Sequence, residues 1–226
     1  MSEIRDFFQL VSLGLVLLLP IANPLTSMSL LLALGKRLSY QDRMREIRRA
    51  TIYVIAILGV SYYAGSLIMH SFGISVPGMR IAGGLIITFL GFTMLFPSSS
   101  VTDIPEADKT REEQRQANQP SIAFVPLAMP GTAGPGAIAV VISLAARIHG
   151  STEYPAWAIH TAPIVVALLI GLLFWLCLRF SSKLFTLIGG SGVDAISRIM
   201  GFLMVCMGVQ FVIDGVLAVI AAHAAG

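Results

Sequence analysis

Long apolar runs alternate with short polar segments along the whole chain. Six runs carry almost no charge, and they cover residues 7–34, 51–72, 81–96, 122–146, 157–178 and 199–222. A helix needs about 20 residues to cross about 30 Å of hydrocarbon, so the third run reaches that length only if it starts near Pro77. The runs are apolar on every face and do not alternate as outer-membrane strands do. The pattern predicts an all-α integral membrane protein with six transmembrane helices.

Composition strengthens this prediction and excludes two other classes of protein. Hydrophobic residues make up 56% of the chain and charged residues 12%, and the mean hydropathy is +0.83, which argues against a water-soluble globule. The basic residues flank the apolar runs without interleaved aromatic residues, so we expect no nucleic-acid partner. The first run follows Glu3, Arg5 and Asp6 and lacks the positive leader of a cleavable signal peptide, so we expect it to be retained.

Basic residues concentrate in every second loop. The first, third and fifth loops contain Lys36, Arg37, Arg43, Arg45, Arg48, Arg49, Lys109, Arg111, Arg115, Arg179 and Lys183. The segments on the other side contain only Arg5, Arg80 and Arg147. Because loops rich in lysine and arginine stay in the cytoplasm, we expect a multi-pass protein of the bacterial inner membrane with both termini in the periplasm.

The two halves of the chain share motifs in the same order. "PIANPLT" at 20–26 has the frame P-x-A-x-P-x-T of "PLAMPGT" at 126–132, and "RIAG" at 80–83 returns as "RIMG" at 198–201. Each half has three helices, and because this number is odd, the second half enters the membrane from the opposite side. Many secondary transporters have such inverted repeats. We therefore expect one membrane domain, residues 1–226, made of a first repeat (1–97), a cytoplasmic linker (98–119) and a second, inverted repeat (120–226).

Prolines and cap residues predict that helices 1 and 4 are broken. Proline removes a backbone donor and clashes with the preceding turn, and the predicted break residues are Pro20, Pro24, Pro126 and Pro130. Asn23 before Pro24, and Gly134 before Pro135, have the order of an N-cap followed by the first residue of a new helix. About 16 Å of helix would follow each break, so the breaks are expected near the bilayer midplane.

Two helix N-termini inside a membrane would form a binding site. Their free N–H groups favour an anion such as a carboxylate, and glycine lets a ligand approach bare backbone. The candidate substrate-binding residues are Asn23, Pro24, Thr26, Thr132, Gly134, Pro135 and Gly136. The alternative is that these prolines and glycines are only kinks and packing positions, which are common in transmembrane helices.

Other chemistry is poorly supported by the sequence. No acid occupies the centre of an apolar run, no HExxH, GxSxG or Walker A motif occurs, and the histidines at 70, 149, 160 and 223 are scattered. We therefore expect no enzyme activity, no metal site and no cofactor. The coupling ion is left open, with Na⁺ and H⁺ as the candidates.

Four motifs resemble the MarC family of bacterial inner-membrane proteins: "LLLPIANPLT", "FGISVPGMRIAGGLI", "FVPLAMPGTAGPGAIA" and "AISRIMGFLMVCMGVQF". The resemblance implies a six-helix protein, and the family includes members assigned as neutral amino acid transporters. Through the matching motifs, the resemblance implies that the substrate site is bordered by Asn23, Pro24, Gly134, Pro135 and Gly136. The expected function is secondary transport of small neutral solutes, most of all zwitterionic amino acids, with the lipid bilayer and a small-molecule substrate as partners. The alternatives are an exporter of apolar drugs or sugars and a non-transporting membrane scaffold, and no feature of the sequence specifies an oligomeric state.

Overall fold

The chain folds into helices throughout the part that the structure describes. A computed structural model describes residues 2–34, 38–96, 121–129, 132–149 and 154–224. The helices are α1 (Ser2–Ile21), α2 (Pro24–Leu34), α3 (Tyr40–Ser71), α4 (Val76–Leu95), the short α5 (Ala123–Ala128), α6 (Pro135–His149), α7 (Ala156–Arg179) and α8 (Ser181–Ala224). The described residues contain no strand, which confirms the prediction of an all-α protein. The predicted linker, 98–119, lies outside the described residues.

Four of these helices are long and apolar enough to cross a membrane, namely α1 from Glu3, α4, α7 and α8. Two shorter apolar helices, α2 and α6, each follow an interruption of the chain. Large apolar side chains such as Phe8, Phe89 and Leu217 are exposed on the outside of the bundle, as lipid-facing residues are. Six spans in two inverted repeats remain a prediction.

Helix α3 begins earlier than the apolar pattern predicts. The first loop was expected to end near residue 50, whereas α3 starts at Tyr40 and runs for 32 residues, about 48 Å. Ser39 caps this helix, because its side chain accepts a hydrogen bond from the N–H group of Asp42 at 3.2 Å. The basic residues Arg43, Arg45, Arg48 and Arg49 therefore lie on a helical extension of the span and not in a loop.

Helix α8 also differs from the predicted last span, which started near residue 199. The helix begins at Ser181 and bends at Gly189, whose backbone has φ of 73° and ψ of 164°. Only glycine adopts that conformation without strain. The segment that sequence analysis assigned to the fifth loop is thus mostly helical.

The most extensive packing in the bundle joins α4 to α8, and the order of the paired residues along the two helices shows that they run antiparallel. Glycines face each other along it: a β-carbon on Gly84 would lie 2.5 Å from the carbonyl oxygen of Gly208, and one on Gly91 would lie 2.6 Å from that of Gly201. A β-carbon on Gly215 would lie 3.0 Å from the carbonyl oxygen of Pro77. The two backbones are therefore in direct contact, as small residues allow in membranes.

The remaining helices enclose the main core. Helices α6 and α7 each pack against both α1 and α3, and α2 and α5 fit beside them. Fully buried core residues include Met28, Leu31, Ile47, Val140 and Phe174. Both interruptions of the chain fall inside this packed region.

Candidate functional site

The first helix is interrupted between Ile21 and Pro24. Pro20 lies within the last turn of α1 and is buried, and the helical hydrogen bonding ends where the N–H group of Ala22 donates to the carbonyl oxygen of Leu18 at 2.7 Å. Pro24 is the first residue of α2 and is also buried. The chain therefore leaves one helix and enters another within two residues.

Asn23 occupies the junction and is 4% exposed. Its Oδ1 accepts a hydrogen bond from the N–H group of Leu25 at 3.1 Å, which is the geometry of an N-cap. Its Nδ2 is buried and has no hydrogen-bond partner among the described residues. Buried polar groups in proteins are nearly always paired, which makes this amide group a candidate donor to a ligand.

The second interruption consists of wide, irregular turns. In α5 the N–H group of Leu127 donates to Ile122 at 3.2 Å, and that of Met129 donates to Phe124 at 2.9 Å, which are both five-residue spacings. Val125 within α5 has an extended backbone with φ of −120° and ψ of 126°. Pro126 lies in α5, whereas Pro130 and Gly131 lie outside the described residues.

A new helix, α6, follows this irregular segment. The carbonyl oxygen of Gly134 accepts from the N–H group of Ile138 at 3.0 Å, so Gly134 has the N-cap position and Pro135 begins the helix. Gly134 and Gly136 are buried, whereas Pro135 is exposed. A β-carbon on Gly136 would lie 3.1 Å from Ile87 and 3.7 Å from Ile21, so the start of α6 lies beside the end of α1.

Ser27 joins the two interrupted segments. Its hydroxyl group donates to the carbonyl oxygen of Leu127 at 2.8 Å and lies 3.3 Å from the hydroxyl oxygen of Thr132. Ser27 and Thr132 are 0% and 1% exposed. Of the predicted residues, Thr132 is thus at this contact, but Thr26 is only half-buried, and Ser27 was not predicted.

The site is polar and uncharged. Asn23, Ser27 and Thr132 are three of the few buried polar residues that the structure describes. Among the described residues the one buried charged side chain is Glu46, which accepts from Ser121 at 2.7 Å. No cluster of three or more histidine, cysteine or acidic residues occurs in that part of the chain. The arrangement can bind a solute through neutral donors and acceptors.

An apolar cavity of about 40 Å³ lies apart from this polar contact. Residues of α1, α3, α6 and α7 enclose it, among them Leu18, Leu58, Tyr62, Val141 and Val166. A cavity of that volume holds only a few water molecules, and a drug-sized ligand needs about 300 Å³ or more.

Comparison with known proteins adds a family assignment to this geometry. A family model described as MarC family integral membrane protein matches residues 8–220. The chain is 51% identical over 215 residues to inner membrane protein MarC of Salmonella typhimurium, covering 95% of this chain and 97% of that protein. It is 50% identical, with the same coverage, to the proteins of that name from Citrobacter koseri and Escherichia coli O1:K1. No solved structure matches the chain.

Proposed function

The chain belongs to the MarC family of integral membrane proteins, and from this premise we propose that it is a secondary transporter of small zwitterionic solutes, neutral amino acids above all, in the inner membrane. The observation that carries the proposal is the buried contact between the two interrupted helices. Ser27 follows the first break, Thr132 precedes α6, and their hydroxyl oxygens are 3.3 Å apart. Irregular backbone at membrane depth is tolerated where it is buried in protein or lines a cavity, and many transporters bind their substrate at such a place.

A zwitterion matches the groups at this contact. The starts of α2 and α6 each present N–H groups that have no partner within their own helix, and the buried Nδ2 of Asn23 adds a donor that is unpaired within the described part of the chain. These donors suit a carboxylate, while an ammonium group would rest on carbonyl oxygens that the irregular turns of α5 free from regular bonding. A net charge on the solute would meet no charged partner at Ser27 or Thr132, whose hydroxyl groups bond only each other and Leu127 within the described residues.

The helical segments on either side of each break, which we call arms, differ in length. Residues 7–21 of α1 and the 15 residues of α6 each span about 22 Å, whereas α2 spans about 16 Å and α5 is shorter still. With both termini in the periplasm and the second half inverted, both long arms point to the periplasm. On this arrangement the first break lies on the cytoplasmic side of the midplane, whereas the sequence predicted a position near the midplane itself.

The other functions have less support. Export of apolar drugs or sugars gains no support from the apolar cavity, because at about 40 Å³ it is too small for such a molecule. A non-transporting scaffold gives no reason for two interrupted helices whose ends meet through Ser27, Leu127 and Thr132. We propose no enzymatic reaction and no resident cofactor.

Solute exchange in proteoliposomes tests the proposal without any assumption about coupling. Vesicles loaded with unlabelled alanine or glycine, and containing purified protein, should take up the labelled amino acid with no ion gradient imposed. Vesicles without protein supply the background. If no neutral amino acid exchanges above that background, the proposed function is wrong.

A further inference from the structure

We propose that the oxygen atoms of Ser27, Thr132 and Leu127 form a binding site for a monovalent cation of the size of Na⁺. The inference deepens the proposed function and rests on it, because the cation would couple solute movement to an ion gradient. Its location, however, is defined by the geometry of these three residues alone.

The spacing of the oxygens suits a shared cation. The hydroxyl oxygens of Ser27 and Thr132 lie 3.3 Å apart in a long hydrogen bond in which either group could donate, whereas the typical distance is about 2.7–2.8 Å. Na⁺ has nearly the radius of Ca²⁺, whose oxygen ligands lie at about 2.3–2.6 Å, so neighbouring ligands at right angles are about 3.3–3.7 Å apart. The Ser27–Leu127 distance of 2.8 Å would have to lengthen by about 0.5 Å to meet the same spacing.

The chemistry of the three ligands favours a single positive charge. Hydroxyl and carbonyl oxygens bind hard cations, but sites for Ca²⁺ also use carboxylates that neutralise the second charge. Within the described residues neither Ser27 nor Thr132 hydrogen-bonds to an acidic side chain, and the buried carboxylate of Glu46 is bonded to Ser121 instead. Both hydroxyl groups are almost fully buried, so a cation there would exchange part of its water shell for protein oxygens, with the remaining ligands from water or the solute carboxylate.

A proton is a poorer fit at this place. Serine and threonine hydroxyl groups do not titrate near neutral pH. The buried carboxylate that the structure does describe, Glu46, is on α3 and hydrogen-bonds to Ser121. Glu46 therefore offers a clear comparison, because proton coupling would depend on it or on another acid and not on Ser27 and Thr132.

Thermal stability of the purified protein tests the site directly. In detergent, NaCl should raise the unfolding temperature in a saturable manner, whereas choline chloride at the same ionic strength should not. Thr132→Val keeps the side-chain shape and removes one oxygen, and Ser27→Ala removes another. Each should raise the half-saturating Na⁺ concentration about tenfold or more. Ser61→Ala, at a buried serine of α3, is the matched control and should respond to Na⁺ as the wild type does.

Thr132→Ser restores the oxygen and should recover the Na⁺ response, which a purely structural role for Thr132 does not require. Equal stabilisation by NaCl and choline chloride, or an unchanged Na⁺ response in both Thr132→Val and Ser27→Ala, would overturn the proposal.

Transport measurements separate this inference from the proposed function. Exchange without ion gradients tests transport itself, and an inward Na⁺ gradient should then drive accumulation that Thr132→Val reduces. The contrary result is exchange that is equally fast when choline replaces Na⁺, while a pH gradient drives accumulation that Glu46→Gln abolishes. That result would refute the cation site and leave the proposed transport intact. If no exchange occurs, but Na⁺ raises the unfolding temperature in a saturable manner that depends on Ser27 and Thr132, the cation site is supported and the proposed transport is refuted.

Discussion

Tyr62 donates a hydrogen bond from its hydroxyl group to the carbonyl oxygen of Ile159 at 2.9 Å. In a regular helix that carbonyl would accept from the N–H group four residues later, but residue 163 is a proline and has none. The tyrosine of α3 thus replaces the main-chain donor that α7 lacks. Both residues are buried, so the bond joins two helices at the place where α7 is weakest.

Loss of the Tyr62 hydroxyl group should destabilise the protein. Tyr62→Phe leaves the buried carbonyl of Ile159 unpaired, at a cost of about 1–3 kcal/mol. The measurement is thermal unfolding of the protein in detergent. Tyr63→Phe is the neighbouring control, because Tyr63 is exposed and bonds the carbonyl of His160, and it should cost less.

A second substitution tests the role of Pro163 in this bond. Pro163→Ala supplies an N–H group for Ile159, so Tyr62→Phe should cost clearly less in the Pro163→Ala background than in the wild type. Equal costs in the two backgrounds would show that the hydroxyl group does not compensate for the proline.

Asn23 should matter more for transport than for stability. Asn23→Ala removes both the cap oxygen, worth about 1 kcal/mol, and the buried amide donor. Loss of a donor to a charged group costs about 1.5–3 kcal/mol, or ten- to a hundredfold in affinity. Asn23→Ser keeps a cap oxygen without the amide, so it should retain near-normal stability while exchange in proteoliposomes falls.

Pro20→Ala is the control for this pair, since it alters α1 next to the break and leaves the cap in place. Parallel losses of stability and exchange in all three variants would assign "PIANPLT" a structural role only.

The contact between α4 and α8 should tolerate no side chain at its glycines. Gly84→Ala places a β-carbon 2.5 Å from a backbone oxygen of Gly208, and the helices must move apart, at a cost of about 1–3 kcal/mol or more. Gly59→Ala in α3 is the matched control because nothing lies within 4 Å of the added carbon. That change should stabilise the protein by about 0.5–1 kcal/mol. Thermal unfolding of the two variants in the same detergent should give shifts of opposite sign.

The proposed orientation can be checked by cysteine labelling. In a background with Cys177→Ala and Cys206→Ala, we expect an impermeant maleimide to label Ile74→Cys and His223→Cys in intact spheroplasts. Gln41→Cys, near the start of α3, should react only after permeabilisation, because basic segments stay in the cytoplasm. Ile74, Gln41 and His223 are all exposed. Labelling of Gln41→Cys before permeabilisation would show that the expected orientation is wrong and that the start of α3 faces the periplasm.

Local chemistry explains which parts of the fold were predictable. In the structure α2 begins at Pro24 and α6 begins at Pro135. These are the positions indicated by the preferences for certain residues at the N-cap and for proline at the first position of a helix. Such rules depend on backbone geometry within a few residues. The early start of α3 had a comparable signal, since Ser39 and Asp42 form an N-terminal cap, but segmentation by hydropathy placed the polar residues after it in a loop.

Contacts between distant segments were not predictable in the same way. Helix α2 is apolar nearly all round, so no polar face showed that Ser27, and not Thr26, is directed at Leu127 and Thr132. The glycines of α4 and α8 recur at seven-residue intervals, at 84 and 91 and at 201, 208 and 215. That period indicates one helix face, but the partner of that face depends on tertiary packing.

The backbone contact between α4 and α8 has a mechanical consequence for the proposed transport cycle. Helices whose main chains touch at Gly84, Gly91, Gly201 and Gly208 cannot slide past each other without atomic overlap, because close-packed interfaces do not deform continuously. We therefore expect this pair to move as one unit and to act as a stationary frame. If the protein is a transporter as proposed, we expect alternate opening to the two sides of the membrane to come from movement of α1, α2, α3, α5, α6 and α7 against that frame. A crosslink within the α4–α8 pair should leave exchange unaffected, and one between the frame and α6 should stop it.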